Sequence, residues 1–191
     1  REEQQGLIGE LLTVEILADR LPPKAVLAGW RGPLDEPKDF VLGGVAIEVK
    51  ARHVTKDAVK VSSEHQLQLQ SGQALWLVVI ALAPVTPGAT GGFTLDALVE
   101  RVSRKLTAVD PSADAAFQSL LLSAGYSVDD DYSEDAWAET ATQAYEVDAT
   151  FPRIQAADLP AGLASVTYWL GLNDCAPHAR PFSAVLESLD G

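Results

Sequence analysis

Three residues differ in chemistry in the way that phosphodiester hydrolysis requires: Asp39, Glu48 and Lys50. Two carboxylates offer hard oxygen ligands of the kind that hold Mg²⁺ or Mn²⁺, with water and substrate phosphate completing the shell. An ammonium beside them can orient or help deprotonate a metal-bound water, or offset charge that grows on the phosphate in the transition state. Eight residues separate Asp39 from Glu48, and only Val49 separates Glu48 from Lys50.

The local sequence says how these side chains meet. Two alternating runs, residues 39–42 and 45–51, are joined by Gly43-Gly44. A Gly-Gly link between β-type runs predicts a tight hairpin. Its register places Leu42 opposite Val45, Val41 opposite Ala46, Phe40 opposite Ile47, and Asp39 opposite Glu48. Side chains alternate between faces. One face therefore carries Phe40, Leu42, Val45, Ile47 and Val49, and the other carries Asp39, Val41, Ala46, Glu48 and Lys50. Facing residues have Cβ atoms roughly 4.5–5.5 Å apart, and facing like charges destabilise a sheet. A divalent cation is the natural counter-charge.

Around the hairpin the pattern is α/β with a mixed sheet. Residues 2–21 predict a helix with an apolar stripe of Leu7, Leu11, Leu12, Val14, Ile16 and Leu17, ended by Pro22-Pro23. Gly6 and Gly9 are poor helix formers and point to something packed closely on that helix. Residues 29–38 read as a loop in which Trp30 anchors to the core, 58–61 as a third strand, 63–71 as a helix capped by Ser62 or Ser63, and 74–83 as a buried strand. Beyond a Pro- and Gly-rich loop come helices at 94–106 and 111–124, an acidic loop to residue 135, and strands at 144–150 and 165–172.

Composition sets outer limits. A chain of 191 residues with 47% hydrophobic content can build one domain with a sizeable core. No apolar run approaches membrane-spanning length, and no signal peptide is visible. The single cysteine, Cys175, fits a reducing cytoplasm and excludes a cysteine-cluster zinc site. His53, His65 and His178 show no zinc-binding spacing, and no GxSxG, Walker A or GxGxxG string occurs. The acidic run at residues 129–131 reads as a solvated loop. The net charge of −13 runs against unaided DNA binding, which draws on basic surface. Arg52, His53, Lys56 and Lys60 form a locally basic strip and are the candidate phosphate contacts. The chain begins at Arg1 and lacks Met, so an N-terminal part is expected to be missing.

The spacing of Asp39, Glu48 and Lys50 resembles the PD-(D/E)XK nuclease superfamily, the restriction endonuclease-like proteins. Pro37-Lys38-Asp39 replaces the literal Pro-Asp pair. The resemblance implies a core of helix, three-strand meander, helix and strand in residues 1–84, with residues 85–191 adding helices and strands to the same domain. It implies Mg²⁺ or Mn²⁺ held by Asp39, Glu48 and the backbone carbonyl of Val49. It also implies an acid on the first helix, Glu10 before Glu15, that completes the metal site as a further ligand, and an accessory Gln66. A narrower resemblance rests on GLIGELL at 6–12, GWRGP at 29–33, DF at 39–40, EVKA at 48–51, SSEHQLQL at 62–69 and FPRI at 151–154. These strings look like an uncharacterised PD-(D/E)XK-motif family of bacterial restriction–modification loci. That implies a cytoplasmic, metal-dependent DNA endonuclease of phage defence, partnered by DNA and by further subunits or a second copy. The alternative is a catalytically silent DNA-binding or assembly subunit of the same fold.

Overall fold

The structure is a computed structural model and describes residues 2–190; Arg1, on which the expectation of a missing segment rests, lies outside them. The hairpin forms in the expected register for three pairs, but the expected fourth, Asp39 on Glu48, is not part of the ladder. β1 (Phe40–Leu42) pairs antiparallel with β2 (Val45–His53), with Leu42 on Val45, Val41 on Ala46 and Phe40 on Ile47. Gly43 supplies the positive φ of 60° that the tight turn needs.

β2 then runs parallel to β4 (Ala74–Val85), from Val45 on Ala74 to His53 on Leu82. A strand covered on both faces reads as a continuous apolar run, and every residue from 75 to 82 is buried. β6 (Ala136–Glu146) lies antiparallel on the far side of β4 and pairs with β5 (Phe93–Thr94) and β8 (Ala179–Arg180). The result is a six-stranded mixed sheet in the order β1-β2-β4-β6-β5, with β8 also on β6. The fold class is the expected one, α/β with a mixed central sheet.

Different layers cover the two faces. Val45, Ile47, Val78 and Ile80 pack beneath α1 (Glu2–Leu17), α2 (Pro23–Gly29), α3 (Leu95–Val109) and α4 (Ala113–Ser123), meeting Ile8, Leu11, Val26, Leu98 and Phe117; α5 (Phe182–Ser188) adds Val185. A side chain at Gly9 would stand 3.2 Å from the Cβ of Ala51, so α1 lies close on β2 there; Gly6 has nothing within 4 Å. Ala46, Leu77 and Val79 face the other way, under Val59, Val61, Leu67, Phe151 and Leu170.

Several elements differ from expectation. β3 (Ala58–Val61) does not join the hairpin as a meander but pairs antiparallel with β7 (Tyr168–Gly171) in a second, two-stranded sheet. Residues 62–71 form a turn rather than a helix. Their polar groups are used sideways. The buried Glu64 carboxylate accepts the N–H groups of Ser165 and Val166, Lys38 Nζ donates to the carbonyls of His65 and Gln66, and Gln66 Oε1 accepts the Ser62 N–H. The first helix stops at Leu17, and Pro23 opens α2 at a first-turn position where the missing N–H costs nothing. β6 starts at Ala136, eight residues before the expected strand, and β7 keeps only the middle of the run at 165–172. The two long helices stand as expected; Thr94 Oγ1 caps α3 by accepting the Ala97 N–H. Among the described residues no helix is long and apolar enough to cross a membrane.

Candidate functional site

β1 ends at Phe40, so among the described residues the outer edge of β2 has no strand partner beyond Ile47. Asp39 occupies that edge with its side chain: Oδ2 accepts the Val49 N–H at 2.6 Å. A residue's N–H and C=O point to the same side of a strand, so the Val49 carbonyl faces the same edge. Glu48, one residue earlier, is fully buried on the face opposite α1. Lys50 Nζ lies 2.7 Å from Glu48 Oε1, while Glu48 Oε2 is buried with no hydrogen-bond partner among the described residues. Lys50 also donates to Gln66 Oε1 at 3.0 Å, and the Ser62 N–H holds that same oxygen at 2.7 Å.

Glu10 reaches the cluster from α1. Its Oε2 accepts Trp30 Nε1–H at 2.6 Å. Trp30 is fully buried, stacked on Phe40 with centroids 6.4 Å apart and tilted against Phe117 at 6.2 Å. Gly32 leaves room for two carboxylates: a Cβ there would collide with the Glu10 carboxylate and stand 3.1 Å from Asp39 Oδ1. The second-choice acid, Glu15, is engaged elsewhere, in a two-toothed ion pair with Arg101 at 2.8 and 2.9 Å.

Crowding shows in the proton affinities. Burial, reinforced by Asp39, raises the Glu48 carboxyl from 4.5 to about 8, against the pull of Lys50. Burial and the Asp39 charge likewise raise Glu10 to about 8. Asp39 is raised by burial, opposed by Lys50 and the Val49 N–H. Burial works against the Lys50 ammonium, but Glu48, Asp39 and Glu10 outweigh it and hold the proton more tightly than usual. Three acids sharing so little water repel one another, and a divalent cation would relieve that repulsion.

All five expected side chains thus come together: Asp39, Glu48, Lys50, Glu10 and Gln66. Two further residues belong to the arrangement. Trp30 was expected only as a core anchor, yet it also fixes Glu10. Lys38 was not foreseen. It is buried, ties the turn at His65 and Gln66 to the hairpin, and is pulled down to about 8 by burial, against the Glu48 charge. Its only sequence signal is its place beside Asp39.

Among the described residues no group of three or more His, Cys, Asp or Glu is arranged to hold a metal ion. The donors that do fit are the two carboxylates of Asp39 and Glu48 with the Val49 carbonyl. They are hard oxygens, and among the described residues Glu48 Oε2 has no other partner.

The basic strip lines a groove of about 480 Å³ that opens from Lys50 past Arg52, His53, Lys56 and Lys60. Lys56 and Lys60 are exposed. Arg52 is committed to the carbonyls of His53, Val54 and Lys56, where it clasps the turn after β2, and His53 Nδ1 lies 2.8 Å from Thr55 Oγ1.

A family model described as "Putative PD-(D/E)XK family member, (DUF4420)" matches residues 1–173. No curated protein and no solved structure matches.

Proposed function

The chain belongs to that PD-(D/E)XK family, and on this premise we propose that it is a Mg²⁺- or Mn²⁺-dependent endonuclease that hydrolyses DNA phosphodiester bonds within a bacterial restriction or phage-defence system. The observation that carries the reading is the edge of β2. There Asp39 Oδ2 accepts the Val49 N–H, Glu48 Oε2 lacks a partner among the described residues, and Lys50 stands 2.7 Å from Glu48. Residues 1–84 supply the cluster, and residues 85–191 complete the sheet and close its faces.

Asp39, Glu48 and Val49 would hold the cation, and a bound cation supplies Lewis acidity and an acidified water. The remaining work falls to the chain. Lys50 keeps its proton through neutral pH, so it serves as a fixed positive charge that orients the attacking water and offsets charge on the phosphate. Gln66 holds Lys50 in place, and is itself held by Ser62. Glu10, fixed by Trp30, adds negative charge beside Asp39 and so favours a cation there. Phosphates approach along the groove of Lys56 and Lys60, and the acidity of the rest of the chain leaves DNA targeting to further subunits or a second copy in the cytoplasm.

The experiment is a cleavage assay on plasmid and linear DNA with Mg²⁺ or Mn²⁺, comparing the protein with Asp39→Ala and Lys50→Ala. Each substitution is expected to lower the rate by on the order of 10²-fold or more. Equal cleavage by parent and variants would remove the site assignment. A second reading, a silent DNA-binding or assembly subunit, is favoured by one contact: Lys50 already neutralises Glu48. It predicts DNA binding without cleavage and no response to millimolar Mg²⁺.

A further inference from the structure

The second sheet repeats, on a smaller scale, the two-faced design of the hairpin. In β3 and β7, Val61 faces Tyr168 and Val59 faces Leu170, and these four turn toward the core. The intervening pair, Lys60 opposite Trp169, must then turn outward. Trp169 is 68% exposed, while Trp30, Trp76 and Trp137 are buried. A lone outward tryptophan needs no explanation by itself. This one lines the groove that leads from Lys50 and faces Lys60 directly across the ladder.

The groove's charge is also unlike the chain's. Lys50, Arg52, Lys56 and Lys60 line it against a single carboxylate, Asp57, in a molecule of net charge −13. A cationic track beside an exposed aromatic face is the combination by which proteins hold single strands: the track follows the phosphates and a base stacks on the ring. A duplex hides its base faces and could use only the cations.

We propose that this groove binds single-stranded nucleic acid, with a base stacked on Trp169 and its phosphates on Lys56 and Lys60, and so delivers an unpaired segment to Lys50. The proposal deepens the nuclease reading by naming its substrate class. Stacking and cleavage are nevertheless separable, because the first needs no metal.

The test is done in EDTA, reading affinity from the fluorescence anisotropy of end-labelled nucleic acid and stacking from tryptophan fluorescence, during titrations with a twenty-nucleotide oligo-dT, the matching oligo-U, and a 20-base-pair duplex. Trp169 is the exposed indole, so a stacked base should quench it. Single strands are expected to bind with quenching and more tightly than the duplex. Trp169→Ala should weaken single-strand binding on the order of tenfold to a hundredfold, leaving duplex binding within twofold. Trp169→Phe, which keeps an aromatic face, should restore most of the affinity, and Lys56→Ala with Lys60→Ala should weaken single strands and duplex together. The two oligonucleotides separate DNA from RNA as the strand held. Single-strand binding unchanged in Trp169→Ala, a preference for duplex, or no binding by any of the three overturns the proposal. Magnesium-dependent cleavage indifferent to Trp169 would overturn it while the nuclease reading stood. Quenching without cleavage in Mg²⁺ would do the reverse.

Discussion

Replacing Glu48 with Gln changes how the metal-free protein responds to pH, and the size of the change follows from the site. Burial and the neighbouring Asp39 raise this carboxyl from 4.5 to about 8. The folded protein therefore keeps a proton that the unfolded chain releases. Stability from this group is fully present below 4.5 and is lost as pH rises toward 8, because the folded state binds more protons throughout that window. At about 1.4 kcal/mol per pH unit the full difference comes to roughly 4–5 kcal/mol. Lys50 is protonated across the window and adds no slope. Asp110, Asp131 and Asp148 are held low by the hydroxyls of Ser112, Ser133 and Thr150, so their contribution is lost only as pH falls through the acid range. A window from pH 5 to 8 avoids them. Urea unfolding of parent and Glu48→Gln in EDTA, at pH 5, 6.5 and 8, reads the effect. The stability gap should move by several kcal/mol in favour of Glu48→Gln between pH 5 and 8. Excess Mg²⁺ should restore the parent at pH 8, because a ligand that binds only the folded state adds stability by mass action. A gap constant to within about 0.5 kcal/mol across the window would refute the claim that Glu48 is buried in a crowded acidic cluster.

Other perturbations reach the same cluster from different sides. Gly32→Ala puts a methyl group against the Glu10 carboxylate and should weaken Mn²⁺ binding on the order of tenfold by calorimetry, as displacement of groups around metal ligands generally does; unchanged affinity would place Glu10 outside the metal's surroundings. Gln66→Ala removes the oxygen that holds Lys50. It should lower kcat on the order of tenfold to a hundredfold while Mn²⁺ affinity stays put, and a parallel loss of both would argue against a positioning role. Trp30→Phe keeps a ring against Phe40 but deletes the donor to Glu10. Its cost should be about 1.5–3 kcal/mol above pH 8, where Glu10 is ionised, and smaller at pH 5; urea unfolding at the two values distinguishes this from simple loss of packing, which would be independent of pH.

The hairpin was legible because its signals are local. A Gly-Gly turn fixes the register, and alternation then assigns each side chain to a face. That brought Asp39, Glu48 and Lys50 together without knowledge of the rest of the fold. Glu10 and Gln66 entered through resemblance, since nothing local marks either one. What failed depends on distant partners. The segment at residues 62–71 lost its helix to Lys38, Ser165 and Val166. β3 found its partner more than a hundred residues away in β7. β6 hides in a run of Ala, Thr and Glu whose middle is exposed, so no apolar period announces it. Lys38 was invisible because its role is a carbonyl contact across a turn that only the fold creates.

The most direct test of the central claim is diffraction from crystals soaked in Mn²⁺, read through the metal's anomalous signal. The account predicts one peak at the edge of β2, about 2–2.3 Å from a carboxylate oxygen of Asp39, one of Glu48 and the Val49 carbonyl, with Lys50 turned from Glu48 toward the open side. A peak elsewhere, or none while Lys50 remains paired to Glu48, would contradict it.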